Sequence, residues 1–108
     1  MKNISQEMQS CIDSCYSAVT ASRVCLDQHM REPDMKQCHK LCLDTIAIAT
    51  ACAGMCAAKS DYVGQVSSVC AQVCRDCADE CAKFDSEVCR ECARTCRECA
   101  DKCEAMAA

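Results

Sequence analysis

Apolar and polar positions along the 108-residue chain repeat with the period of an α-helix, and the recurring apolar residue is cysteine. Most of its sixteen copies lie three or four positions apart. Such steps return to the same face of an α-helix. The longest runs are Cys70, Cys74, Cys77 and Cys81, followed by Cys89, Cys92, Cys96, Cys99 and Cys103. The pattern predicts helices that carry a stripe of thiols where a bundle normally carries leucine.

Breaks in this pattern divide the chain into four predicted helices, at about residues 5–30, 34–58, 62–83 and 86–105. Asn3 and Asp34, each followed three residues later by glutamine, are predicted to cap the first two helices. Connections of a few residues make consecutive helices antiparallel. Two glycines, one proline and three aromatic residues argue against a β-rich fold. The sequence therefore predicts an all-α fold, a single antiparallel up-down-up-down four-helix bundle with a cysteine-lined core.

Other apolar residues lie off the cysteine stripes. On the first three helices they form a second stripe, which is expected either to flank a small core or to face another subunit. Away from its cysteines the fourth helix is mainly charged, and this face is expected to meet solvent. The residues of the second stripe are Ile12, Tyr16, Val19, Leu26, Leu41, Ile46, Ile48, Tyr62, Val66, Val69 and Val73.

Charge and hydropathy narrow the cellular context. A net charge of −4 gives no reason to expect nucleic acid as a partner. The longest weakly polar stretch, residues 45–58, is shorter than the roughly 18 residues of a membrane span, and the N-terminus lacks a secretory apolar segment. We therefore expect a cytoplasmic protein without a membrane anchor. Because the cytosol keeps thiols reduced, these cysteines are expected to bind metal rather than to form disulfides.

Antiparallel helices sort the candidate ligands toward the two ends of the predicted bundle. One end is expected to collect Cys11, Cys15, Cys52, Cys56, Cys70, Cys74, Cys99 and Cys103. The other end is expected to collect Cys25, Cys38, Cys42, Cys77, Cys81, Cys89 and Cys92. Cys96 falls nearer the middle, where the first two helices carry Ala18, Ser22, Thr45 and Ala49 instead of thiols. We expect two sulfur clusters, connected mainly through the third and fourth helices.

Histidine and methionine flank the second of these ends. His29 follows Cys25 by one turn on the same face, so it is a candidate metal ligand. Its alternative role is that of a helix-terminal histidine favoured by the helix dipole. Met30 and Met35 lie beside it and suit transient capture of a soft metal, whereas His39 lies one position off the stripe and is expected to be structural.

The chemistry of a buried thiolate favours one metal. A buried charge without compensation is costly, so metal binding must expel thiol protons and bring in positive charge. Cu(I) is soft and monovalent, and one ion per thiolate leaves the core neutral. Zn(II) favours tetrahedra of four ligands, and iron–sulfur clusters commonly use a Cys-x₂-Cys-x₂-Cys loop that this chain lacks. We expect multiple Cu(I) ions per chain, with Zn(II) second and iron–sulfur clusters third.

The last two cysteine runs also carry a specific resemblance. Residues 73–85 are VCRDCADECAKFD and residues 89–108 are CRECARTCRECADKCEAMAA. Together with the Cys-x₃-Cys pairs of the first two helices, they make the chain similar to the cytosolic branch of the bacterial copper storage proteins. The resemblance implies a homotetramer of four-helix bundles whose inner thiolates hold many Cu(I) ions. It also implies that His29, Met30 and Met35 guide copper in at one end.

The expected function is storage and sequestration of Cu(I), which protects the cell from copper toxicity and supplies copper enzymes. A copper chaperone or an acceptor enzyme would then be the protein partner. A binding protein for Zn(II) or another thiophilic metal is the first alternative, and a disulfide-rich structural module is the second. An enzyme is not expected, because a catalytic cysteine needs an exposed electropositive niche and a base, and the chain has two histidines.

Overall fold

The computed structural model describes residues 4–107, which form four long helices joined by short turns. The helices are α1 (Gln6–Gln28), α2 (Lys36–Ala57), α3 (Val63–Cys81) and α4 (Glu87–Met106), and a single 3₁₀ turn, Pro33–Met35, precedes α2. The predicted all-α class is confirmed, and each helix end falls within two residues of its expected position.

The helix starts differ in how they are capped. Ser5 caps α1, because its Oγ accepts a hydrogen bond from the Met8 amide at 3.1 Å. The predicted cap Asn3 lies outside the described residues. The predicted cap at Asp34 is wrong: Pro33 and Asp34 form a 3₁₀ turn, and α2 begins at Lys36 without a side-chain cap. Proline favours the first turn of a helix, and here that turn is the tighter 3₁₀ form.

The end of α2 is a tight reversal. Lys59 has a left-handed backbone with φ of 53°. Its amide donates to the Cys56 carbonyl at 3.1 Å, and the Ser60 amide donates to the Met55 carbonyl at 3.0 Å. This pair of bonds is a Schellman motif, which normally places glycine at the left-handed position. The motif turns the chain at once into α3.

Each helix packs against two neighbours. α1 contacts α2 and α4, and α3 likewise contacts α2 and α4. The short connections make successive helices antiparallel. Cys11 contacts Cys103 and Cys25 contacts Cys89, so α1 and α4 are antiparallel as well. The result is an up-down-up-down rod of 44 × 20 × 18 Å.

Small residues fill the core of this rod. All sixteen cysteines are 0% exposed, and alanines account for most of the other buried positions. Within the described residues, the only buried apolar side chains larger than cysteine are Ile12 and Met35. α4 buries its cysteine face and exposes its charged face, where Arg94 pairs with Glu91 and Glu98. Sulfur and methyl groups therefore make up most of the core.

One segment is more apolar than the sequence pattern indicated. Pro33–Ala57 is long and apolar enough to cross a membrane by length and composition alone, a criterion that the core helix of a bundle also meets. The sequence expectation rested on the shorter stretch 45–58, but the helical segment extends over 25 residues. In the structure, the cysteine face of α2 packs against α1 and α3.

Candidate metal centre

Every cysteine of the chain is a free thiol, and every one is buried. The helices explain the burial, because each inward stripe repeats at three- and four-residue steps and so stays on the core face. Free thiols argue against the alternative of a disulfide-rich structural module. The sulfur atoms of the interior are therefore available as metal ligands.

The first chamber, as we call the sulfur cluster at one end of the rod, contains two overlapping groups of four thiols. In each group the sulfur atoms all lie within 4.8 Å of one another. The groups share Cys15 and Cys103, whose sulfurs are 3.9 Å apart. The six members are Cys11, Cys15, Cys52, Cys70, Cys99 and Cys103. Cys56 and Cys74 interact with members of this set and complete the chamber.

The second chamber occupies the opposite end. It contains a group of four thiols and a group of three that share Cys92, again with all sulfurs within 4.8 Å inside each group. Its grouped members are Cys25, Cys42, Cys77, Cys81, Cys92 and Cys96. Cys38 joins through Cys81 at 3.4 Å, and Cys89 joins through Cys25 at 3.8 Å.

The predicted sorting of thiols into two clusters is confirmed, and two residues lie at the junction. Cys96, expected near the middle, belongs to a group with Cys77 and Cys92. Cys74 interacts with Cys96 and Cys99, so it connects the second chamber to the first. As expected, this connection is made by α3 and α4.

Hydroxyl groups occupy the waist between the chambers. The Ser22 and Thr45 side chains are fully buried, as predicted. Ser67 of α3 is also fully buried, but its Oγ contacts Cys52, so it lies on the outer side of the first chamber and not at the waist. Sequence analysis missed Ser67, although it lies one turn before Cys70 and so belongs to the same stripe. The Thr45 hydroxyl has no hydrogen-bond partner, a state that costs about 1–3 kcal/mol for a buried polar group.

The mouth of the second chamber is built differently from its interior. His29 Nε2 lies 3.1 Å from the Oγ of Ser86, the residue that caps α4, and His29 belongs to none of the sulfur groups. Met30 is 61% exposed, whereas Met35 is only 4% exposed and contributes to the core. The structure thus places a ring nitrogen and two thioethers at this end. The other histidine, His39, has a buried Nε2 without a partner.

Burial and thiol–thiol hydrogen bonds set the protonation of the clusters. Burial raises the pKa of Cys56 to about 12 and also raises the pKa of Cys89. In the second chamber, a hydrogen bond with Cys42 lowers the pKa of Cys77 to about 5. The pKa of Cys42 is raised, in the first place by its hydrogen bond with Cys25. A sulfur that accepts a hydrogen bond is favoured as thiolate, whereas burial alone keeps the proton on.

A four-helix bundle whose core is an array of free, grouped thiols is a protein built to bind soft metal ions. The copper storage protein family model matches residues 1–108, and the chain belongs to this family. Among curated proteins, no sequence matches.

Solved structures give the same result. The structure is similar to that of the Cu(I)-bound copper storage protein BsCsp3, with a TM-score of 0.90, 27% identity and coverage of 95% of this chain and 100% of that one. The apo form of copper storage protein 3 from Bacillus subtilis matches with a TM-score of 0.88, 27% identity and coverage of 93% and 98%. A histidine-to-alanine variant of Ccsp from Streptomyces lividans matches with a TM-score of 0.88, 31% identity and coverage of 95% and 94%.

Proposed function

We propose that this protein stores and sequesters multiple Cu(I) ions in the thiol-lined core of its bundle. One observation carries the proposal: sixteen free thiols are 0% exposed, and most of them form groups whose sulfurs lie within 4.8 Å. The proposed ligands are all sixteen cysteines, with His29 as a ligand at the mouth. Family membership supports the same function.

Charge balance favours Cu(I) over Zn(II) in these chambers. The two groups of the first chamber contain six different sulfurs. Two Zn(II) ions in those groups leave a net charge of about −2 when all six are thiolates, whereas six monovalent ions leave none. A net charge buried away from water carries a large penalty. Shared thiols such as Cys15 and Cys103 suit ions that are bridged by one sulfur.

Anaerobic titration with Cu(I) and elemental analysis tests the storage function. Sixteen thiolates taken four at a time hold about four zinc ions, so a copper plateau well above about four ions per chain supports storage. Competition with a strong Cu(I) chelator separates storage from weak adventitious binding. A plateau at one to about four ions, with zinc preferred over copper, would contradict the proposal.

The mouth of the second chamber is the proposed route for copper uptake. Exposed Met30 and half-buried His29 offer weaker ligands than thiolate, which suits capture followed by transfer inward. Met35 is buried against the same end. Copper that binds these groups first would pass to Cys25, Cys38 and Cys89.

A homotetramer is the proposed assembly, and exposed apolar residues support it. Tyr16, Leu43 and Val69 are each more than half exposed, although residues of this size usually bury most of their surface. A charged replacement such as Leu43→Glu should weaken a subunit interface that covers Leu43. Sedimentation analysis of the wild type and the variant measures this. A monomeric wild type would contradict the assembly.

The cellular role follows from the store. A cytoplasmic protein of this kind would protect thiol and iron–sulfur sites from Cu(I), and it would later release copper to a chaperone or an acceptor enzyme. We propose no catalytic activity, because the thiols are buried rather than held in an exposed site beside a base.

A further inference from the structure

The two chambers are interrupted on two of the four helices. On α1 the inward thiols jump from Cys15 to Cys25, and on α2 they jump from Cys42 to Cys52. Each gap is ten residues, which is about 15 Å of helix. On α3 and α4 no gap between successive inward thiols exceeds four residues. Thiols therefore line the waist on one side only.

The two gaps lie at the same level of the rod. The sulfurs of Cys25 and Cys38 are 4.0 Å apart, which fixes the register of α1 against α2. Ala18 lies seven residues before Cys25 on α1, and Thr45 lies seven residues after Cys38 on α2. A further seven residues in the same directions lead to Cys11 and Cys52, which belong to one group of the first chamber. Ala18 therefore faces Thr45 midway between the chambers, and neither offers sulfur.

A hydroxyl meets the thiols at the inner edge of the second chamber. Ser22 Oγ lies 3.8 Å from the sulfur of Cys92 and 3.9 Å from that of Cys96, and the Ser22 side chain is 0% exposed. The second chamber thus has a serine hydroxyl on its side facing the waist. The buried serine of the first chamber, Ser67, contacts Cys52 and lies one turn before Cys70, so it is on the outer side of that chamber and away from the waist.

A hydroxyl and a thiol act differently once copper is bound. A serine or threonine oxygen keeps its proton at neutral pH and is a hard donor that soft Cu(I) does not favour. Its O–H can instead donate to a thiolate, and a charge-assisted hydrogen bond of this kind stabilises the anion. A thiolate beside a serine hydroxyl at the waist therefore gains a hydrogen bond. A cysteine in place of that serine would instead supply a second ligand for a copper ion.

We propose that Ser22 and Thr45 divide the copper store into two Cu(I) clusters, one in each chamber. Ions pass between the clusters only along α3 and α4, at Cys74 and Cys96. The buried Thr45 hydroxyl, which has no partner, marks the point where α2 offers neither a ligand nor a hydrogen bond to sulfur. This inference rests on the proposed storage of copper.

Rejoining the chambers tests the proposal. The double variant Ser22→Cys/Thr45→Cys adds two thiols at the waist. The control Thr20→Cys/Thr50→Cys adds two thiols on exposed positions of α1 and α2, where each threonine hydroxyl bonds the carbonyl four residues earlier. Each fully loaded protein is mixed with excess Cu(I) chelator, and transfer is followed over time without oxygen.

The wild type and the control are expected to release copper in two kinetic phases, one for each cluster. The waist variant is expected to release it in one phase and to bind about two more ions per chain than the control, about one per added thiolate. If the double variant does not fold, Thr45→Cys alone carries the test, because Thr45 lies midway between the two chambers.

A single release phase in the wild type would overturn the division of the store. An equal capacity in the waist variant and the surface control would also overturn it. Failure of copper storage itself gives a different result, since the wild type then reaches its plateau at a few ions before any variant is compared.

Discussion

The chemistry of cysteine suits two states of this core. As a protonated thiol it packs as a small apolar side chain, and as a thiolate it is a ligand for soft metal ions. All sixteen copies are fully buried, so the metal-free core is close to a hydrophobic core of small residues. Loading with one Cu(I) per thiolate would replace each thiol proton by a monovalent ion, so the core would stay neutral and gain no polar group.

The buried thiols make the stability of the metal-free protein depend on pH. Burial raises the pKa of Cys56 from its ordinary value of 9.0 to about 12. Above pH 9 the unfolded chain therefore loses this proton while the folded chain keeps it, and the unfolded state is favoured. We expect the free energy of unfolding to fall as the pH rises from about 9 to about 12. Anaerobic urea unfolding at several pH values measures it.

The variant Cys56→Ala is the control for this pH dependence. It lacks one of the thiols with a raised pKa, so the slope of stability against pH should be shallower than in the wild type. A metal-free wild type whose stability is constant or rises above pH 9 would show that burial does not hold these protons.

His29 allows the mouth to be tested at the scale of one side chain. Its ring contacts Ser86 rather than a sulfur group, so it lies at the surface of the store and not inside it. We expect His29→Ala to slow Cu(I) uptake several-fold while the final capacity stays nearly unchanged. Stopped-flow mixing with a Cu(I) donor gives the rate, and elemental analysis gives the capacity.

His39→Ala is the matched control for His29. It removes the other histidine, which lies off the cysteine stripe. Unchanged uptake kinetics in His29→Ala, or equal slowing in both variants, would remove the guiding role from His29.

At the scale of elements, the helix ends show where local physics decides the structure. Ser5 and Ser86 each cap a helix through a side-chain oxygen. Pro33, in contrast, starts a 3₁₀ turn and displaces the expected cap at Asp34. The Schellman motif after α2 uses a lysine at its left-handed position. At both ends of α2, the type of turn therefore determines where the helix begins and ends, and the presence of a capping residue type does not.

This lysine predicts a stabilising substitution. A left-handed backbone costs a residue with a Cβ about 1–2 kcal/mol, and glycine avoids most of this cost. Lys59→Gly should therefore raise the free energy of unfolding by about 1 kcal/mol, as measured by urea unfolding. The neighbouring Ser60→Gly is the control, because Ser60 Oγ accepts a bond from the Tyr62 amide and its loss should destabilise. Equal destabilisation by Lys59→Gly and Ser60→Gly would contradict the backbone strain proposed at Lys59.

At the scale of the whole molecule, copper should stabilise a bundle that is already folded. The fold is similar to that of both a Cu(I)-bound and an apo copper storage protein, and we expect this chain to keep its architecture on loading. A ligand that binds only the folded state raises stability by mass action. We expect the metal-stripped protein to keep its helical circular dichroism signal and to unfold at a lower temperature than the loaded protein. Loss of the helical signal on stripping would show that metal is needed for folding, as in zinc fingers.

The sequence predicted much of this architecture for a specific reason. Three- and four-residue spacing fixes the face of a helix on which a residue lies, and the cysteine runs hold that spacing through all four helices. Ser67 follows the same rule, because it lies one turn before Cys70 on the same stripe, but only the structure shows that its hydroxyl lies 3.6 Å from the sulfur of Cys52. Met35 was placed at the mouth, but only the 3₁₀ turn explains why it is buried.

The sequence by itself thus determined the number of helices, the stripe of thiols on each and the two ends where sulfur collects, because these depend on spacing along one chain. The tertiary structure alone decided which thiols meet across helices, since contacts such as Cys38 with Cys81 depend on helix register. It also decided that the Thr45 hydroxyl is buried without a partner. Such contacts depend on distances between separate helices, and these distances cannot be predicted from the spacing of residues within one helix.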